Sequence, residues 1–217
     1  AGFAIAGIPA LGPASAGVNP DGKLVLHLVP VDKRPKQLGI CGRHGVEKPA
    51  DVVTRGELDQ RYLVYVLITD FDTETGITGT QFGISYNDSA EAGVDIVYWQ
   101  HCTLYEWPMD GWPGSETGNL LTWNQVDDCQ TAEPLVVGIF YLSAYSPDRL
   151  KIIPRPVDGM ARLAACGVNS VNSDEKLDTL KPENLGWVDF GTGEGYNPWD
   201  PEQNLLELQD KFKPINN

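Results

Sequence analysis

Basic residues, histidine and methionine are scarce in this chain: 16 Lys plus Arg, three His and two Met stand against 30 Asp plus Glu in 217 residues. The three histidines, His27, His44 and His101, include no i, i+4 pair, and the four cysteines include no C-x-x-C, so neither a histidine metal triad nor a zinc knuckle is expected. Missing too are the G-x-S-x-G elbow, H-E-x-x-H, the phosphate-binding loop and the dinucleotide fingerprint. The chain therefore reads as a non-enzyme, and a hydrolase built from scattered carboxylates has no positive signal. A net charge of −14 repels phosphate backbones and argues against nucleic acid as a partner. No apolar run reaches the ~18 to 20 residues of a membrane helix, and no repeat or low-complexity tract occurs.

Charge is absent altogether from Ala1–Ala16 (AGFAIAGIPALGPASA), which also lacks Asn and Gln. In an extended chain Phe3, Ile5, Gly7, Pro9 and Leu11 fall on one side and Ala4, Ala6 and Ala10 on the other, with Ile8 breaking the alternation. The plain reading is a signal-peptide remnant, since Ala14-Ser15-Ala16 matches an A-x-A cleavage site; the positively charged start of a signal is missing. The alternative is an extended N-terminal strand captured by its own domain or by a neighbouring subunit. The turn signal Asn19-Pro20-Asp21-Gly22 closes this segment, dividing the chain into an extension, 1–18, and a single domain with a C-terminal extension, 19–217.

The domain beyond this turn is β-rich. Lys23–Val31 alternates as a first strand, Asp32–Gln60 reads as a long Pro, Gly and charge-rich loop, and Arg61–Thr69 (RYLVYVLIT) reads as a central strand buried on both faces. Further strands are predicted at Gly79–Tyr86, Gly93–His101, Leu120–Trp123, Leu135–Tyr145 and Arg149–Pro154, with turn residues between nearly all of them. This spacing predicts an all-β, antiparallel sandwich or jelly roll with short peripheral helices. One helix is expected from Ser173 through Glu175, Leu177 and Leu180. Another is expected near Asp200, where Asp-Pro-Glu-Gln supplies a cap and Leu205, Leu208 and Phe212 an apolar stripe.

Four groups of residues carry candidate chemistry. The even cysteine count predicts disulfides, and nested bridges Cys102 to Cys129 and Cys41 to Cys166 would close a local excursion and then tie the ends of the domain. Asp70, Asp72 and Glu74 place carboxylates at alternate positions, as Ca²⁺ favours; the glycine at the seventh position and Gln81 at the twelfth exclude an EF-hand, and a solvated acidic turn is the competing reading. Trp107, Trp112 and Trp123 form a candidate platform for sugar rings, against the alternative that they line the core. Asn87-Asp88-Ser89 matches the N-glycosylation acceptor pattern.

Leu67-Ile68-Thr69-Asp70-Phe71-Asp72, Gly79-Thr80-Gln81-Phe82-Gly83-Ile84-Ser85-Tyr86, Phe140-Tyr141-Leu142-Ser143-Ala144-Tyr145 and Gly195-Tyr196-Asn197-Pro198 resemble segments of a loose group of uncharacterised secreted bacterial proteins. The strand order is also similar to cohesin-like jelly-roll sandwiches. The tail resembles the donor strand of pilus subunits. That resemblance implies a secreted structural subunit, a head-to-tail homopolymer in which Phe3, Ile5, Ile8 and Leu11 insert into the next copy. The alternative expectation is a secreted, monomeric module that binds carbohydrate or a protein partner.

Overall fold

Ten consecutive residues, Gln60–Thr69, alternate Tyr, Leu, Val and Ile so that both faces of the strand are apolar, and eight of them, Tyr62–Thr69, are buried. Such a strand must lie between two other layers. The computed structural model, which describes residues 17–33, 39–89, 92–124, 127–167, 177–200 and 202, supplies both layers.

The strands are β1 (Lys23–Val31), β2 (Arg55–Gly56), β3 (Gln60–Thr69), β4 (Ile77–Ser85), β5 (Val94–His101), β6 (Tyr105–Pro108), β7 (Thr117–Thr122), β8 (Leu135–Ala144), β9 (Asp148–Ile153), β10 (Arg162–Ala165), β11 (Leu177–Thr179) and β12 (Trp187–Phe190). One sheet runs β1-β3-β8-β5. In the second, β4 pairs with β7 along one edge, and β7 with β6; the other edge of β4 is shared, β10 taking Ile77–Gln81 and β9 taking Gly83–Ser85. Beyond these lie β11, paired with β10, and β12 with β2, paired with β9. All pairs are antiparallel except β12 with β2. The protein is thus an all-β, antiparallel sandwich.

Alternation assigns the layers. Leu24, Leu26 and Leu28 of β1, Val64, Val66 and Ile68 of β3, Phe140 and Leu142 of β8, Phe82 and Ile84 of β4, and Leu150 and Ile152 of β9 meet between the sheets. The intervening residues Val25, Leu63, Tyr65, Leu67, Ile139 and Tyr141 face the other way and would be exposed, but the loop carrying Ile40, Cys41, Val46 and Val52 lies over them, with Trp199 packed alongside. The long irregular loop is therefore the third layer that β3 requires. Tyr65 donates its hydroxyl hydrogen to the Ile40 carbonyl at 3.0 Å, and the Cys41–Cys102 disulfide fastens the loop to the end of β5.

The second bridge is Cys129–Cys166, so both cysteine pairings differ from the nested expectation. Register explains the difference. Gln130 bridges Ile77, and the Cys166 amide donates to the Gly76 carbonyl at 2.9 Å, so both cysteines of this pair converge on the start of β4. Cys102 instead packs on the outer face of the first sheet with Cys41. A further correction concerns Leu177–Leu180. Leu177–Thr179 form strand β11 against Arg162–Ala164, and Leu180 donates its amide to the Ala161 carbonyl, so the apolar pair is satisfied by a sheet edge and not by a helix. Two short 3₁₀ turns, Pro49–Asp51 and Pro182–Asn184, are the peripheral helices among the described residues. Asp200 Oδ1 accepts the Glu202 amide at 2.9 Å, as the cap expected there would; the stripe Leu205, Leu208 and Phe212 lies outside the described residues.

The sandwich closes by backbone hydrogen bonds on one side and by side chains on the other. On the β1 side, the Leu24 carbonyl accepts the Gly186 amide at 2.8 Å and the Leu28 amide donates to the Val53 carbonyl at 2.9 Å, stitching the two sheets together. On the β5 side the sheets are bridged by side chains: Trp99 packs against Trp112 and Phe140, with ring centroids 5.3 and 4.5 Å apart. Gly138 makes this seal fit, because a Cβ there would lie 2.2 Å from the Trp99 ring.

Candidate functional site

A cleft of about 590 Å³ lies beside β5, between its first half and the end of β4. Tyr86, Val94, Ile96 and Tyr145 give it apolar and aromatic walls, and Asp88 and Asp95 are exposed carboxylates at its rim. Asp148 holds the rim in shape: its carboxylate accepts the amides of Asn87 at 3.1 Å and Val94 at 3.0 Å, the two ends of the connection between β4 and β5. Ser146 Oγ accepts the Gly93 amide at 2.6 Å. Tyr86 donates its hydroxyl hydrogen to the Pro113 carbonyl at 3.0 Å. Burial, with the negative charges of Asp88, Asp95 and Asp148, pushes the Tyr86 phenol up to about 12. The cleft is therefore preformed and negatively charged. Asp148, whose carboxyl is raised chiefly by burial, is committed to backbone amides.

The tryptophan platform divides. Trp123 is buried at 6% exposure, and Trp112 packs in the seal against Phe82, Trp99 and Phe140. Only Trp107 of the three is exposed, at 52%, and its companion is Tyr105, at 57%, with ring centroids 6.0 Å apart. Both stand on one face of β6 because they alternate with Glu106, whose carboxylate turns inward to accept Trp99 Nε1 at 3.0 Å and Asn119 Nδ2 at 2.8 Å. The i, i+2 pair was visible in the sequence as Tyr-Glu-Trp; what the sequence did not reveal was that this four-residue stretch is an edge strand. Thr103 Oγ1 donates to the Tyr105 carbonyl at 3.1 Å and Arg155 to the Trp107 carbonyl at 3.5 Å, while Pro108 leaves the free edge without an N–H at its end.

The acidic turn is tied to distant parts of the chain and braced by its own bonds. Asp70 pairs with Lys23 and accepts Trp199 Nε1 at 3.1 Å. Asp72 accepts the Thr75 hydroxyl at 2.8 Å and the Glu74 amide at 3.0 Å, bonds that hold its carboxyl below the usual range. Asp72 thus shapes the turn through its own hydrogen bonds, and among the described residues no three His, Cys, Asp or Glu side chains converge on a metal position. Asn87 is exposed, with Oδ1 accepting the Ser89 amide at 3.2 Å. Phe3, Ile5, Ile8 and Leu11 lie outside the described residues.

No protein-family model and no curated protein sequence matches the chain. Six chains of solved structures match it, two cohesin modules among them. A cohesin module from a Clostridium perfringens family 33 glycoside hydrolase aligns with a TM-score of 0.42 and 8% identity, covering 77% of this chain and 96% of the module. The sixth cohesin of scaffoldin B from Acetivibrio cellulolyticus, in complex with a Cel5 dockerin, aligns with a TM-score of 0.40 and 10% identity, covering 59% of this chain and 93% of that one.

Proposed function

We propose that this protein is a secreted, non-catalytic recognition module that binds a protein partner by seating a basic segment in the cleft beside β5. The observation that carries the reading is the cleft itself: about 590 Å³ of preformed space with tyrosines and aliphatic walls and carboxylates at the rim. Aromatic and apolar walls take up the methylene stems of Lys or Arg while the rim carboxylates meet their charged heads. The whole-molecule charge of −14 acts in the same direction, drawing cations toward the surface. Two disulfides suit an oxidising compartment. The homopolymer expectation depends on Phe3, Ile5, Ile8 and Leu11, whereas the binding alternative has a described surface to rest on.

The reading is tested by following backbone amide shifts during titration with tetralysine in low salt, and separately with cello-oligosaccharides. Tetralysine is expected to move the resonances of Tyr86, Val94, Ile96 and Tyr145, and Asp88→Asn with Asp95→Asn to weaken binding by about tenfold, since each exposed ion pair contributes roughly 0.2 to 1 kcal/mol. Silence toward tetralysine overturns the proposal. Shifts confined to Tyr105 and Trp107 with the oligosaccharide would transfer function to that exposed ring pair, the one observation favouring carbohydrate.

A further inference from the structure

The exposed ring pair of β6 does not stand alone on its face of the sheet. Phe82, Leu121 and Leu163 point into the core, so the residues alternating with them on β4, β7 and β10 point outward, on the side where Tyr105 and Trp107 stand. Register sets these outward residues in rows across the strands. One row runs Trp107, Leu120, Gln81 and Arg162 from β6 through β7 and β4 to β10, each directly opposite the next. The row beside it runs Tyr105, Thr122, Gly79, Ala164 and Leu177 and ends on β11. Its middle members are small, and they floor a groove of about 150 Å³ walled by Leu120, Gln81 and Arg162. Gly79 keeps the floor low, since a Cβ there would press within 3.1 Å of Thr122 Cγ2. With neighbouring strands ~4.8 Å apart, five of them give a track of roughly 19 Å.

Polar groups along this track lack partners. Gln81 is only 8% exposed, and both hydrogens of its amide are spent, Nε2 donating to Asp158 Oδ2 at 2.9 Å and to the Met160 carbonyl at 3.2 Å. Its Oε1, turned the other way, accepts no hydrogen bond from any described residue. A nearly enclosed acceptor of this kind is completed by a donor from outside the protein. Arg162 gives Nε to Thr179 Oγ1 at 3.3 Å and Nη2 to the Met160 sulfur, and among the described residues no carboxylate pairs with it. We propose that this face binds a neutral oligosaccharide, its sugar rings stacked on Tyr105 and Trp107 and its chain laid along the groove, with one hydroxyl donating to Gln81 Oε1 and another accepting from Arg162.

Three features select that ligand. The faces of Tyr105 and Trp107 carry negative charge density, which attracts the polarised C–H face of a sugar ring. Sugar hydroxyls both donate and accept, so they satisfy an acceptor and a set of donors side by side, as an aliphatic side chain cannot. The net charge of −14 repels polyanions and a second copy of this chain alike, whereas a neutral sugar meets no such barrier. This site goes beyond the cleft beside β5 and shares no residue with it, so either can fail without the other.

Backbone amide shifts of the natural chain, followed during separate titrations with cellohexaose, xylohexaose, mannohexaose and hexagalacturonate, test it. At least one neutral hexaose is expected to move Gly79, Thr122 and Ala164 together with the Trp107 indole. Trp107→Ala and Tyr105→Ala are each expected to weaken that binding by about threefold to tenfold through lost stacking. Gln81→Met, which keeps the length of the side chain and removes the acceptor, is expected to weaken it by a similar factor while the β3 and β8 resonances stay in place. Silence toward every neutral hexaose overturns the proposal, as does binding that survives Tyr105→Ala combined with Trp107→Ala. Preference for hexagalacturonate overturns the neutral assignment in favour of an acidic sugar held by Arg162. A sugar response here beside a tetralysine response in the cleft upholds both readings, and a tetralysine response without it upholds the cleft alone.

Discussion

At the scale of single residues, burial and hydrogen bonding set the sensitivities. His27 is 5% exposed, accepts the Val53 amide on Nδ1 at 3.0 Å and lies 6.3 Å from the Tyr65 ring. Burial, with the neighbouring His44 adding to it, lowers its pKa to about 4, outweighing its hydrogen bond to the His44 backbone and the attraction of Asp51. The folded state therefore holds a neutral imidazole, while the unfolded chain protonates near pH 6.5. Stability is whole above that value and is lost as the pH falls toward about 4, by up to about 3 kcal/mol. Urea unfolding across this window is expected to show the loss, and His27→Asn, which keeps an acceptor for Val53 without titrating, is expected to remove most of it. Glu106 is the second such point. Glu106→Ala strands the Trp99 and Asn119 donors and is expected to cost about 2 to 4 kcal/mol in the same assay. Gly138→Ala drives a methyl group into the Trp99 ring and is expected to cost roughly 1 to 3 kcal/mol, with the Trp99 fluorescence shifting as the seal opens.

At the scale of elements, the loop between β1 and β3 behaves as a layer of the protein, and the disulfides decide how firmly. Cys41–Cys102 spans 61 residues and Cys129–Cys166 spans 37. In the chain-entropy account each contributes about 4 kcal/mol by restricting the unfolded chain. Replacing Cys41 and Cys102 by Ala is expected to lower the melting temperature and to speed amide exchange of Val46 and Val52 before that of β3. Replacing Cys129 and Cys166 by Ala is expected to loosen the start of β4 instead, because those residues meet at Gly76 and Ile77. Equal effects of the two removals on Val46 would contradict this assignment. The edges differ as well. β6 is a four-residue edge that pairs only with β7 and ends in Pro108, which has no N–H to offer a further strand.

For the whole molecule, charge and closure determine what its surface can do. An excess of 14 negative charges surrounds a sandwich stitched shut beside β1 and sealed by tryptophans beside β5. Association of a cationic peptide with the cleft is therefore expected to weaken by about an order of magnitude between roughly 20 mM and 500 mM salt, as screening shortens from ~20 Å to ~4 Å. A salt-independent affinity would mean that apolar contact with Tyr86 and Tyr145 alone holds the ligand. Much of this architecture was legible in the chain. β1, β3, β4, β5, β8 and β9 follow the alternation of Lys23–Val31, Arg61–Thr69 and the later apolar runs, and the two-sided burial of β3 follows from its unbroken Val, Leu, Ile and Tyr. The short strands β2, β6, β10, β11 and β12 carry two to four residues each, too few to show a period.

The division has a physical reason. Side-chain alternation, turn residues and charge are local properties, so the sequence alone determined an antiparallel, disulfide-bonded sandwich with an acidic surface and an uncharged N-terminal segment. Which cysteine meets which, which tryptophan faces water, and where a cleft opens depend on strand register across the sheets. Cys129 and Cys166 meet only because Gln130 and Ala165 both pair with Ile77. Trp107 is exposed and Trp112 enclosed only because β6 is an edge and Trp112 falls against Phe82, Trp99 and Phe140. Contacts between residues tens of positions apart exist only once the sheets have paired, and those contacts were decided by the tertiary structure.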